Sequence, residues 1–224
     1  MVVKTVVTTT SKLSQYLYIM GLDISAVSNL EPIEVPEDIE KWSDEWYDWE
    51  ADQGGDVYNV YSAPEFMEQA EGLEDGTYIS RDGEYTTFRA GSYSGYGTWR
   101  DWLAQATMSG ILSKSGGAES MWDSADGGDY GLPFMELINF SDADGTIKNV
   151  ASKKLYYDFR KYENDVMDWM DEMYLTRKPI TPPDWREEEP KPLDKGDFEW
   201  FQRQYQEWKN AFRIASDNGI VIFH

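Results

Sequence analysis

The sequence predicts an α+β domain: a small, mainly antiparallel sheet with helices packed on one face, and a C-terminal helix that returns after a Pro-rich linker. Three observations carry this. Short β-prone runs occupy residues 16–90, two apolar stripes at alternating three- and four-residue spacing dominate the second half, and a stretch rich in proline and charge separates those stripes. The expected organisation is a flexible extension over 1–15, a core domain over 16–176, a linker over 177–195, and a closing helix with an edge strand over 196–224.

Tyr16 to Val27 is apolar and β-prone, which suits a buried strand. Residues 31–53 then carry ten acidic side chains against one base, Lys41, and Trp42, Trp46 and Trp49 recur at helical spacing. That pattern predicts a short amphipathic helix with a tryptophan stripe. Either the rings cover the core beneath solvated carboxylates, or they form an acidic-aromatic docking face for a basic protein.

Val57 to Tyr61 predicts a second strand. Thr77–Ser80 and Tyr85–Ala90 flank Arg81-Asp82-Gly83-Glu84, a hairpin signal. Thr98 is placed as the N-cap of a helix bearing Trp99, Trp102, Leu103 and Ala106 and ending near Gly110, with Asp101 completing a capping box. Residues 114–131 are expected to be a long loop. From Ile147 a long helix follows, in which Leu155, Phe159, Tyr162, Val166, Trp169 and Met173 form one stripe.

Five prolines between 177 and 195 predict an extended linker over the surface. Phe198, Phe201, Tyr205, Trp208, Phe212 and Ala215 form the second stripe, which ends at Asn218-Gly219 before an edge strand over Ile220–Phe223. Both stripes suit packing within the chain, with a homo-oligomer seam as the alternative. No internal repeat is visible.

Composition narrows the function. The chain has 224 residues, 41% of them hydrophobic, with ten tryptophans and a net charge of −22. It is long enough for one well-buried core. The negative charge argues against direct binding to nucleic acid or an anionic membrane, both of which demand neutralised phosphate. It suits solubility, or imitation of a polyanion before a basic partner. With no cysteine, thiol catalysis and cysteine-bound zinc are excluded, and with His224 as the single histidine a Ser-His-Asp triad, a histidine phosphoesterase pair and a His-rich metal cage are not expected. No apolar run spans a bilayer, and Met1 to Thr10 is a poor signal peptide. The cytosol is the expected location, and no cofactor is expected.

Two polar stretches are the best candidates for a site. Residues 91–100 combine glycine and hydroxyl side chains with a helix start, which presents unpaired backbone N–H groups. Arg89 and Arg100 flank this stretch, and over residues 76–115 four bases oppose three acids, a near-neutral island in an acidic chain. Arg89, Ser92, Tyr93, Ser94, Tyr96 and Arg100 are therefore the candidate wall for a small polar, anionic or nucleotide-derived ligand. The other reading is a Gly-rich turn whose hydroxyls satisfy their own backbone.

Glu136, Asn139, Asp142 and Asp144 are the candidate opposite wall. An EF-hand placement with Gly145 sixth puts Asp142 third and Asp144 fifth, but Phe140 first and Ala151 twelfth, so the motif fails. Asp142 and Asp144 remain candidate ligands for a divalent cation with Glu136, or caps of the helix that follows. Trp122 to Asp129 has the same ambiguity.

Met20-Gly21-Leu22-Asp23-Ile24, the Ser92-Tyr93-Ser94-Gly95-Tyr96 block with Trp99-Arg100, and Pro133 to Asp142 together resemble a family of small bacteriophage- and prophage-encoded proteins. The resemblance covers about residues 20–160 and continues through Gly145-Thr146-Ile147, Ser152 to Leu155, and Asp158-Phe159. Where relatives tend to have Cys-Glu-Gly this chain has Ala143-Asp144-Gly145, and Lys148 replaces a glycine. The resemblance implies phage origin and an accessory role against the host, and no activity comes with it. The expected function is a non-catalytic counter-defence protein that sequesters the ligand. The alternatives are an acidic inhibitor of a host defence protein, acting through 31–53 and 184–199, and a carboxylate-metal hydrolase using Glu136, Asp142 and Asp144.

Overall fold

The computed structural model describes residues 21–62, 71–115, 132–140, 145–180 and 189–224. In chain order the elements are β1 (Leu22–Val27), β2 (Glu31–Pro32), α1 (Asp44–Ala51), β3 (Asp56–Val60), β4 (Gly76–Ser80), β5 (Tyr85–Gly91), α2 (Tyr93–Ser115), α3 (Met135–Ile138), β6 (Gly145–Lys148), α4 (Asn149–Lys161), α5 (Glu163–Thr176), β7 (Pro179–Ile180), β8 (Lys191–Pro192), α6 (Lys195–Ala215) and β9 (Ile220–Phe223). The α+β class is as the sequence predicts. The predicted extension over 1–15 and the first residues of the predicted Tyr16–Val27 strand lie outside the described residues, as do most of the 114–131 loop, Asp142, Asp144 and residues 181–188.

A four-stranded antiparallel sheet in the order β5-β1-β9-β6 forms the base of the core. The last strand is therefore interior, a correction to the edge position expected for it. Its composition explains the place: Ile220, Val221 and Phe223 alternate faces, yet all three are buried. An apolar run on both faces needs cover on both sides.

One face of this sheet, with Leu22, Ile24, Ala26, Ile147, Val221 and Phe223, meets the helices. Trp208 on α6 sits at the centre, stacked on Tyr96, Trp99 and Phe212 with ring centroids 5.4, 5.8 and 5.7 Å away, and edge-on to Phe88. Such ring pairs stabilise beyond their buried area. The second stripe is thus consumed inside the chain. A capping box of Asp194 and Asp197 starts α6.

The Asp-Gly hairpin expected at 81–84 does not form. β4 pairs with β2 and β3 in a separate three-stranded sheet, whereas β5 pairs with β1. The chain changes sheets around Ser28. Its N–H donates to the Glu84 carbonyl, its hydroxyl accepts from the Glu84 N–H, and its carbonyl accepts from the Ser80 hydroxyl. Arg213 on α6 holds the same crossing through two hydrogen bonds to the Glu84 carboxylate, at 3.0 and 2.6 Å.

The predicted long helix is two helices, because the chain breaks at Tyr162, whose ψ of 7° leaves the helical range. Met170 is fully buried where the stripe expected Trp169, which is only partly covered. The ends of the expected surface linker are pinned instead: β7 pairs with β8, Ile180 and Leu193 are buried, and Arg177 donates to the Leu193 carbonyl.

Helix α2 begins a full turn before Thr98. The Ser92 hydroxyl accepts from the Gly95 N–H at 3.0 Å, and Thr98 lies inside the helix, donating to the Ser94 carbonyl. Two glycines disfavour helix here by about 1 kcal/mol each, but burial of Tyr96, Trp99 and Trp102 on one face outweighs that cost. Helix α1 is shorter than expected, capped by Ser43, and leaves Trp42 outside it at φ 70°.

Candidate functional site

The N-terminus of β1, the C-termini of β5 and β9, and the first turn of α2 bring polar residues to one end of the four-stranded sheet. Arg89 faces Asp23 across the β5–β1 pairing, 3.9 Å apart, and its guanidinium lies over Gly21, where a Cβ would collide with it. Both side chains are partly exposed. His224 continues the β9 register beside Asp23, its N–H donating to the Asp23 carbonyl. Ser92, Tyr93 and Ser94 are exposed at the start of α2, with the two serine hydroxyls 3.1 Å apart. Arg89 and these three residues therefore lie at solvent-accessible positions, as the ligand reading requires.

Tyr96 and Arg100 do not. Tyr96 is fully buried and Arg100 is 4% exposed. The guanidinium lies 4.3 Å from the Tyr96 ring centroid and donates from Nη1 to the carbonyls of Ile138 and Phe140 at 3.0 and 2.8 Å, while the Tyr96 hydroxyl reaches the Leu137 carbonyl. Arg100 and Tyr96 thus link the start of α2 to residues 137–140. These two side chains pack between α2 and α3 and donate to the carbonyls at and just after the end of α3.

Glu136 is also buried. Lys154 holds it and Asp158 together, with its Nζ 2.8 Å from Asp158 Oδ2, and Asp158 in turn accepts from the Phe134 N–H. Burial pushes the Glu136 carboxyl above its ordinary range, and the Lys154 ammonium opposes that shift. An ammonium thus stands beside Glu136 where the metal reading requires a cation. Among the described residues no three acidic or histidine side chains gather to hold a metal. Asn139 is half-buried just after α3, and Asp142 and Asp144 lie outside the described residues.

Residues 31–56 form the other distinctive surface. Glu34, Glu37, Asp38, Asp44, Glu45 and Asp48 are exposed, together with the Trp42 and Tyr47 rings at 64% and 49%. Among the described residues, the one ion pair of a carboxylate in 31–52 joins Glu31 to Arg81. Lys41, the sole base, donates to Asn59 and lies over the Trp46 ring. Trp46 is buried and packs against Trp49 with ring centroids 5.1 Å apart, so it anchors α1 while the carboxylates stay in solvent. One tryptophan of the stripe is thus an anchor and another is surface.

Sequence reasoning missed His224. The antiparallel β1–β9 register sets it beside Asp23, and its ring reaches diagonally to Ser25, with Nε2 3.1 Å from the serine hydroxyl, although 199 residues separate the two. Only the pairing of β9 with β1 could have revealed this.

In comparisons with known proteins, the chain matches no family model, no curated protein and no solved structure.

Proposed function

We propose that this protein is a binding protein that uses its acidic lobe, residues 31–56, to occupy a basic, nucleic-acid-binding surface of a partner protein. The observation that supports this most is a run of exposed carboxylates which, Glu31 apart, make no ion pair among the described residues, beside exposed aromatic rings. Clustered unpaired carboxylates raise the local negative potential, and a cationic groove built for phosphate is attracted to the same potential. Trp42 and Tyr47 supply the apolar contact that charge alone lacks. The resemblance to phage-encoded proteins suits a host defence protein as the partner, met in the host cytoplasm. Among the described residues no helix is long and apolar enough to cross a membrane. The test is charge reversal at Glu45, Asp48 and Glu50, which abolishes partner binding on this reading and leaves the fold intact.

A second reading keeps a small anionic or nucleotide-derived ligand, sequestered without reaction. Exposure of Arg89, Ser92, Tyr93 and Ser94 at one end of the sheet favours it. Arg89→Ala abolishes nucleotide binding in isothermal titration on this reading, and charge reversal in the acidic lobe does not.

A further inference from the structure

We propose that Ser25 is a catalytic nucleophile, activated by His224 and assisted by Tyr85, that cleaves small acyl esters on the face of the four-stranded sheet opposite the aromatic core.

Ser25 lies in the middle of β1, and its side chain points away from the aromatic core, because Ile24 and Ala26 point into it. The hydroxyl has two polar neighbours from two other strands. His224 Nε2 lies 3.1 Å away and the Tyr85 hydroxyl 3.2 Å away. Ser25 itself is 6% exposed, whereas Tyr85 is 54% exposed and His224 is exposed. The serine therefore lies at the floor of a polar patch whose rim consists of the two groups that touch it.

The chemistry follows from donors and acceptors. A neutral imidazole with its proton on Nδ1 accepts the Ser25 O–H at Nε2, and the Tyr85 O–H donates to the serine oxygen. Partial desolvation of the His224 ring, exposed on its outer side, lowers its affinity for a second proton, which favours the neutral, accepting form, and the Asp23 carboxylate opposes that shift. Asp23 also positions the ring's backbone, by accepting the His224 N–H at its own carbonyl. This is the nucleophile-and-base arrangement of hydroxyl catalysis.

In the first step the Ser25 oxygen attacks the ester carbonyl carbon while its proton moves to His224 Nε2. The Tyr85 O–H turns from the serine oxygen to the carbonyl oxygen as negative charge develops there. Collapse breaks the bond to the alkoxy group, which leaves as an alcohol with the proton from Nε2. Water then attacks the acyl-Ser25 carbonyl, giving its proton to Nε2, and the proton returns to the Ser25 oxygen as the carboxylic acid departs. The slight exposure of Ser25, 6%, limits the substrate to small acyl groups.

The test treats the full chain with p-nitrophenyl acetate and maps the acetylated peptide by mass spectrometry, with nitrophenol release followed in parallel. Acetylation of Ser25 is expected. Ser25→Ala should remove it, His224→Gln should slow it by about 100-fold, and Tyr85→Phe should slow it by about 10-fold or more. Thermal melting of each variant shows that the fold is kept, and a fluorophosphonate probe provides a second readout of nucleophilicity. Acetylation confined to lysines, or Ser25 labelling at an equal rate in His224→Gln, would overturn the proposal.

Discussion

Arg100 lies over the ring of Tyr96, 4.3 Å from its centroid, and both side chains are buried. The pair joins α2 to the end of α3, because the same guanidinium donates to the carbonyls of Ile138 and Phe140. Arg100→Met should therefore leave two buried carbonyls without these donors and destabilise the protein by about 2–4 kcal/mol in urea unfolding. Arg100→Lys should recover only part of the loss, since an ammonium cannot reproduce the planar fork. If Arg100→Met instead melts like the wild type, the packing role assigned to this residue is wrong.

The sheet crossing at Ser28 gives a second prediction. A Cβ on Gly83 would run into the Ser28 carbonyl and the Ser80 hydroxyl, both of which are engaged with each other. Gly83→Ala should cost about 1–3 kcal/mol through overpacking, read as a lower urea midpoint. An unchanged midpoint would show that the crossing has slack.

Lys148 and Asp75 join the two sheets, and here pH is the probe. The buried Lys148 ammonium donates to Asp75 at 2.7 Å, Ser62 donates to the same carboxylate, and the Asp75 carboxyl is held at about 2 against an ordinary 3.8. A depressed carboxylate stabilises the fold fully above its unfolded pKa and loses that contribution as pH falls through the folded value. Stability should thus decline between about pH 4 and 2 through this group, and Asp75→Asn should flatten that part of the profile. Urea titrations of both proteins across this range check it, and parallel profiles would refute the assignment.

How far the sequence shows these features depends on the range of the interaction. The stripe from Phe198 to Ala215 appears as helix α6 almost residue for residue, because helical spacing is a local property. Asp82-Gly83 misled, since a turn signal is local while the choice of sheet depends on Ser28, more than fifty residues earlier. The interior place of β9 depends on pairing with β1 and β6, which no window of sequence contains. At the site, Arg89, Ser92, Tyr93 and Ser94, expected to face a ligand, lie exposed. Arg100 and Tyr96 carry the same chemistry, but the nearby carbonyls of α3 consume it. Residue type reveals hydrogen-bonding capacity, and only the fold reveals whether that capacity is already used.

The central claim concerns the acidic lobe, and one measurement addresses it directly. The immobilised full chain and its Glu45→Lys/Asp48→Lys/Glu50→Lys variant are each exposed to bacterial lysate at physiological salt, then eluted with excess duplex DNA and analysed for proteins by mass spectrometry. The account predicts that the wild-type chain retains a nucleic-acid-binding protein that DNA displaces, and that the variant, equally folded by circular dichroism, does not retain it. Retention of the same protein by both, or a retained protein that DNA fails to displace, would contradict it.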